Sequence, residues 1–407
     1  MPRLLGREVI MTRTRVVLTT SLLAFFSAAA VNFAAAAPIV NTDHMVLHHS
    51  TVPANSGHDV HLFVRERDGT QPGDPRRAVL MLHGRTIPAL PGFDLNHEEY
   101  SWAGDLAEKG FDVFIMDLQG SGRSPRPQMD DPCNVNVTQQ LLLMSNNPLS
   151  VPCGPAYAFQ LNNSQSDGDE LGRVVEFIRN EAHGEDGVQK VRLVGWSAAA
   201  FQVGPYTIHN RDNVDSILFL APAFRPLGLS TPPSPLPVPG FPMNIGTKTD
   251  FSNPWDNEQR CTDASQREDG IVDVVWKAIM ENDVIGHHWG QEGVMRLRNA
   301  VWWGWNTSVV QADMAVLGNA VPVLIVYGDQ DKVATTPPLS ITDLYDAIPG
   351  QKKLMFKVAC TGHSMVWEKQ YKTLHKISEQ WLRDKRVESH DSGSYFWPLH
   401  GAIQPLP

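Results

Sequence analysis

The sequence predicts an α/β protein: a mostly parallel sheet with helices on both faces and an inserted cap. Short apolar runs without alternation recur at 78–82, 111–116, 191–194, 217–220 and 323–326, as suits strands buried on both faces. Amphipathic helical patterns fall between them, and strands alternating with helices at this spacing mean a mainly parallel sheet. Two stretches, 125–165 and 225–315, do not follow that rhythm and read as insertions.

Each element can be justified in order. Residues 1–37 carry Arg3, Arg7, Arg13 and Arg15, then an apolar run that ends in alanines. That is the layout of a secretory signal peptide, with a membrane anchor as the alternative. Loss of this segment would remove a net +3 and leave the remaining chain at −13, acidic and exported or periplasmic. Residues 44–65 read as two strands around a turn at 56–58, with Val60, Leu62 and Val64 alternating. A polar turn follows, and then the 78–82 strand ends in His83-Gly84. Residues 100–109 form a helix closed by Gly110, and a strand at 111–116 leads into Asp117-Leu-Gln-Gly-Ser-Gly-Arg-Ser124. Leu171, Val174, Val175 and Ile178 lie at helical spacing with Ser166 or Asp167 as N-cap. Leu374, Ile377 and Trp381 mark a last helix, and 391–407 is left as a tail.

The 125–165 stretch is rich in Pro, Asn and Ser. The cap, 225–315, opens with prolines and should contain helices near 271–280 and 292–301. With the cap removed, the core is 38–224 followed by 316–390. Cys133, Cys153, Cys261 and Cys360 are even in number, and four allow three pairings. Cys133 with Cys153 is the local choice, worth about 3 kcal/mol by loop closure, which leaves Cys261 with Cys360. Four free thiols are the other possibility.

With 42% hydrophobic and 19% charged residues and a net charge of −10, the composition is ordinary globular and argues against a nucleic-acid surface. No metal, nucleotide or flavin motif is found, so neither cofactor nor metal is expected. After the signal, no stretch is long and apolar enough to span a bilayer.

The chemistry centres on Gly195-Trp196-Ser197-Ala198-Ala199, a serine among small residues directly after a buried strand and before a helix. Downstream, Tyr327-Gly328-Asp329-Gln330-Asp331 follows another strand, and Cys360-Thr361-Gly362-His363 precedes the last helix. These residues, in this order, resemble the α/β-hydrolase superfamily, whose nucleophile elbow reads G-x-S-x-G and whose triad runs Ser, Asp/Glu, His. Ala199 departs from the pattern's final glycine. The resemblance implies the α/β-hydrolase fold, with Ser197 as nucleophile, His363 as base and Asp331 as acid. Asp329 is the fallback acid, with a role in shaping the turn. It also implies an oxyanion hole from the backbone N–H groups of Ala198 and Arg85, the latter after His83-Gly84. Arg123 should fix its own loop, and His287 and His288 are weaker candidates for chemistry.

A serine at the elbow argues against the superfamily's aspartate-nucleophile branches. An ester or lactone hydrolase acting on a small molecule is the first expectation. A carbon–carbon bond hydrolase or peptidase on the same triad, or a non-catalytic binding protein, are the alternatives. Trp196, Trp302, Trp303 and Trp305 are expected to line a pocket for a bulky apolar or aromatic substrate.

Overall fold

In the strands of the central sheet, successive residues point to opposite faces, and here both faces are covered. The computed structural model describes residues 38–84, 87–144, 148–233, 237–262 and 264–406; the expected signal peptide, 1–37, lies outside them. Along the chain come β1 (Val40–His49), β2 (Asp59–Asp68), β3 (Ala78–Leu82), α1 (Ala89–Phe93), α2 (Trp102–Glu108) and β4 (Asp112–Met116). Next are β5 (Asn162–Asn163), α3 (Ser164–Asn180), β6 (Val191–Trp196), α4 (Ala200–His209) and β7 (Val214–Leu220). The 225–315 segment holds β8 (Met243–Gly246), α5 (Lys248–Asn257), α6 (Ile271–Asn282), β9 (Met295–Arg298), β10 (Ala300–Val301) and α7 (Thr307–Ala312). The chain closes with β11 (Val323–Gly328), α8 (Ile341–Ala347), β12 (Lys353–Val358), α9 (Tyr371–Asp384), β13 (Gly393–Trp397) and β14 (Gln404–Pro405).

The main sheet has the order β1-β2-β4-β3-β6-β7-β11-β12-β13-β14. From β4 to β13 all neighbours are parallel; at the edges β1 pairs antiparallel with β2, β2 with β4, and β14 with β13. Leu80, Leu82, Leu193, Ile217, Phe219, Val323 and Ile325 pack with α3, α4 and α8 on one face. Their neighbours Val79, Met81, Val194, Leu218, Leu220, Leu324 and Val326 pack with α1, α2, α6 and α9 on the other. Burial of both faces explains why these strands read as continuous apolar runs.

The structure corrects the sequence reading in three places. Residues 292–301 are not helical. Met295–Arg298 pairs antiparallel with Met243–Gly246, and that long-range pairing overrides a short helical pattern. The tail at 391–407 adds two strands to the sheet, with Tyr395, Phe396 and Trp397 in register with β12. The N-cap of α3 is Asn163, whose side chain accepts from the Ser166 N–H in a capping box. Asp167 is instead buried and accepts hydrogen bonds from Arg298, Asn162 and Gln202.

The described residues form one compact unit. The 125–165 stretch and the 225–315 segment share a small apolar cluster of Met129, Val135, Leu143, Met243, Ile245 and Trp289. Arg296 ties them further, bonding Asp283 and Asp130 at 2.7 Å each. Among the described residues no helix is long and apolar enough to cross a membrane.

Candidate active site

Ser197 stands between the end of β6 and a short turn that enters α4. Its φ is +56°, a left-handed conformation that costs a non-glycine residue about 1–3 kcal/mol. Crowding on both sides explains the small neighbours. A Cβ at Gly195 would lie 3.2 Å from Val203, and one at Gly84 would lie 3.2 Å from the Ser197 Cβ. Ala199 has helical dihedrals and is buried. A methyl group is therefore tolerated where the usual motif has glycine.

The Ser197 hydroxyl lies 2.9 Å from His363 Nε2, and His363 Nδ1 lies 3.0 Å from Asp331 Oδ2. Asp331 stands three residues beyond the end of β11, and its other oxygen accepts from the Ala334 N–H at 2.8 Å. Asp329 does not reach the histidine; it accepts from the Thr361 N–H and shapes the loop. Gly328 and Gly362 allow the acid and histidine loops to pack closely. A Cβ on Gly328 would overlap the Thr361 carbonyl, and one on Gly362 would overlap the Glu258 carboxylate.

Burial pulls the His363 pKa down, but the charge and hydrogen bond of Asp331 outweigh it and raise the pKa above the ordinary 6.5. Glu368, buried behind the loop, is pushed up to about 7 by desolvation. It accepts from the Gly362 N–H and the Trp255 indole.

At the end of β3, His83 is fully enclosed, and burial, with the Arg298 charge, lowers its pKa to about 4. The neutral ring can then donate from Nδ1 to the Gly84 carbonyl at 2.6 Å. Arg85 lies outside the described residues. Ala198 is buried in the turn directly after the serine.

A family model described as the alpha/beta hydrolase fold matches residues 77–244. The chain has the α/β-hydrolase fold, and this match supports the superfamily of that name. The AB hydrolase superfamily protein YisY of Bacillus subtilis (strain 168) is 28% identical over 152 residues, 36% of this chain and 52% of the relative. The match thus spans about half the length of that curated relative. A serine hydrolase involved in carbazole degradation, CarC, is 12% identical, with 85% of this chain and 99% of that chain covered at a TM-score of 0.47. A thermophilic esterase from Thermogutta terrifontis is 13% identical, with 84% and 98% covered at a TM-score of 0.46.

In this α/β hydrolase a cavity of about 340 Å³ opens over Ser197. Trp196 and Trp302 line it, Trp302 stacked on Phe201 at 4.9 Å. Trp303 and Trp305 do not. Trp305 is core, wedged between Phe219 and Phe224 with its indole on the Ala223 carbonyl. Trp303 lines a neighbouring cavity. The walls missed by sequence reasoning are Phe251, Trp255 and Trp367, which pack on one another and come from α5 and the loop after His363. No local pattern marks them; only the fold gathers them. His287 and His288 are exposed and line no part of this cavity.

Asp117 caps the loop after β4, accepting from the N–H groups of Ala89 and Arg123. The Arg123 side chain reaches out of the loop, to Asn282 of α6, and only its backbone N–H is tied within the loop. The cysteines pair Cys133–Cys153 and Cys261–Cys360.

Proposed function

We propose that this α/β hydrolase is a secreted serine hydrolase that cleaves a carboxylic ester or lactone through an acyl-enzyme on Ser197. The observation that carries the reading is the hydrogen-bond chain from Ser197 Oγ through His363 to Asp331, at the floor of an apolar cavity. Serine is a weak nucleophile until a neighbouring base takes its proton. His363 Nε2 accepts that proton as Oγ attacks the carbonyl carbon, and Asp331 holds the ring's Nδ1–H and stabilises the imidazolium. The tetrahedral oxyanion is received by the Ala198 N–H and the Arg85 N–H. Collapse expels the alcohol with the proton from His363, and water then repeats the sequence to release the acid.

The cavity's tryptophans favour an apolar or aromatic group on the substrate. The same triad would serve a carbon–carbon bond hydrolase, so a diketone belongs in the substrate panel. Reaction with a fluorophosphonate probe, followed by assays on short p-nitrophenyl esters, a lactone and the diketone, tests the reading. Ser197→Ala should abolish labelling and lower turnover by about 10⁴–10⁶-fold while the fold is kept. A folded wild type that takes no probe and cleaves no ester or lactone would overturn the proposal.

A further inference from the structure

Glu258 is the C-cap residue of α5 and is fully buried. Neither fact favours a carboxylate there. The end of a helix carries the negative pole of its dipole, and burial of the ionised form is costly unless hydrogen bonds replace water. Desolvation, joined by the charge of Asp331, accordingly raises its pKa.

Its contacts supply the compensation. Oε1 accepts the backbone N–H of Lys332 at 2.7 Å and of Val333 at 3.2 Å, directly after Asp331. Oε2 accepts the backbone N–H of His363 at 2.7 Å. One rigid carboxylate therefore spans the acid loop and the histidine loop. Gly362 has no room for a side chain because Glu258 occupies it. Three residues further on, Cys261 is joined to Cys360, three residues before His363, so the two segments are cross-linked twice.

We propose that Glu258 is a positioning residue of the hydrolase: it clamps the Asp331 and His363 loops together and sets the distance over which the triad proton moves. The inference rests on the triad reading above. It makes α5, in the 225–315 segment, part of the catalytic support. A displacement of that helix would loosen His363 without touching Ser197.

The test uses the full chain with Glu258→Gln, which keeps the shape but offers one carbonyl oxygen, so one of the two loops is released. Misplacement of a reacting group by about 1 Å costs about 10²-fold. The expected result is a fall in kcat of about 10–10²-fold on a p-nitrophenyl ester, with KM within about twofold. Fluorophosphonate labelling should slow in parallel. The titratable groups acting on His363 are Asp331, Glu258 and Glu368. Removing the Glu258 charge should lower the His363 pKa and move the acid limb of kcat/KM to lower pH. Glu258→Asp keeps the charge but withdraws it by one methylene. It should lose kcat with a smaller displacement of that limb, and it decides the question if the Gln variant does not fold.

A folded variant with wild-type kcat and acid limb, changed only in its melting temperature, would overturn the clamp while leaving the triad intact. A wild type that takes no probe overturns the triad and the clamp together.

Discussion

His183 and His363 each hydrogen-bond a fully buried aspartate, at opposite ends of the sheet. At the amino end, His183 Nε2 meets Asp112 at 2.9 Å and Glu66 at 3.1 Å. Those hydrogen bonds raise its pKa to about 9. Burial works against ionisation of Glu66, yet His183 and His44 hold its pKa down at about 2. Arg76 closes the cluster on Asp68 and Asp112. At the carboxyl end, His363 gives Nδ1 to a single carboxylate and turns Nε2 to a hydroxyl. The first histidine is held between two carboxylates that favour its protonated form. The second has one nitrogen held and one turned to the serine at the cavity. A histidine–aspartate pair is therefore not in itself a sign of chemistry; a second ring nitrogen on a hydroxyl at a cavity is.

The sharpest way to break this contrast is to remove each ring. His363→Gln should lower turnover by about 10⁴-fold or more with little change in stability. His183→Gln should leave kcat unchanged and cost about 1–3 kcal/mol in denaturant unfolding, since Asp112 and Glu66 each lose a hydrogen-bond partner while Arg76 and His44 remain. Equal loss of activity in both variants would erase the distinction.

Acidity separates the two next. In the proposed mechanism the neutral form of His363 is the base, so kcat/KM should fall as pH drops through a value above 6.5. His183 acts on stability instead. Its folded pKa exceeds the ordinary 6.5, so its contribution is fully present below 6.5 and lost as pH rises through about 9. Melting temperatures and pH–rate profiles measured on one sample would show whether the two dependences are independent.

The Cys261–Cys360 bridge sharpens the comparison because it lies at the carboxyl end alone. Mild reduction, or Cys261→Ser, should cost activity before it costs global unfolding, by about tenfold if His363 is displaced by a fraction of an ångström. Cys133→Ser should leave kcat unaltered. The smallest effect belongs to the cavity wall. Trp302→Ala should raise KM for an aryl ester by about two- to tenfold, with kcat and short-chain esters little changed.

Much of this arrangement was legible in the chain. The apolar runs of β3, β4, β6, β7 and β11 announce strands buried on both faces. The Ser197, Asp331 and His363 motifs stand in order at strand ends because each occupies a turn whose small residues are demanded locally. Trp255, Trp367 and Glu258 were not legible, since nothing next to them in the chain distinguishes a cavity wall or a buried clamp from an ordinary helix face. Trp305 failed in the opposite direction: it clusters with Trp302 and Trp303 in sequence, yet fills the space left by Gly204 in the core.

The sequence by itself determined the alternation of strands and helices, the elbow and the order of the three polar groups. These depend on side-chain periodicity and backbone conformation over a few neighbouring residues. Only the tertiary structure decided the pairing of β8 with β9, the strands at the far edge, the walls of the cavity and the carboxylate that joins two loops. Those are contacts between residues tens to hundreds of positions apart, formed by packing and hydrogen bonds that no local pattern encodes.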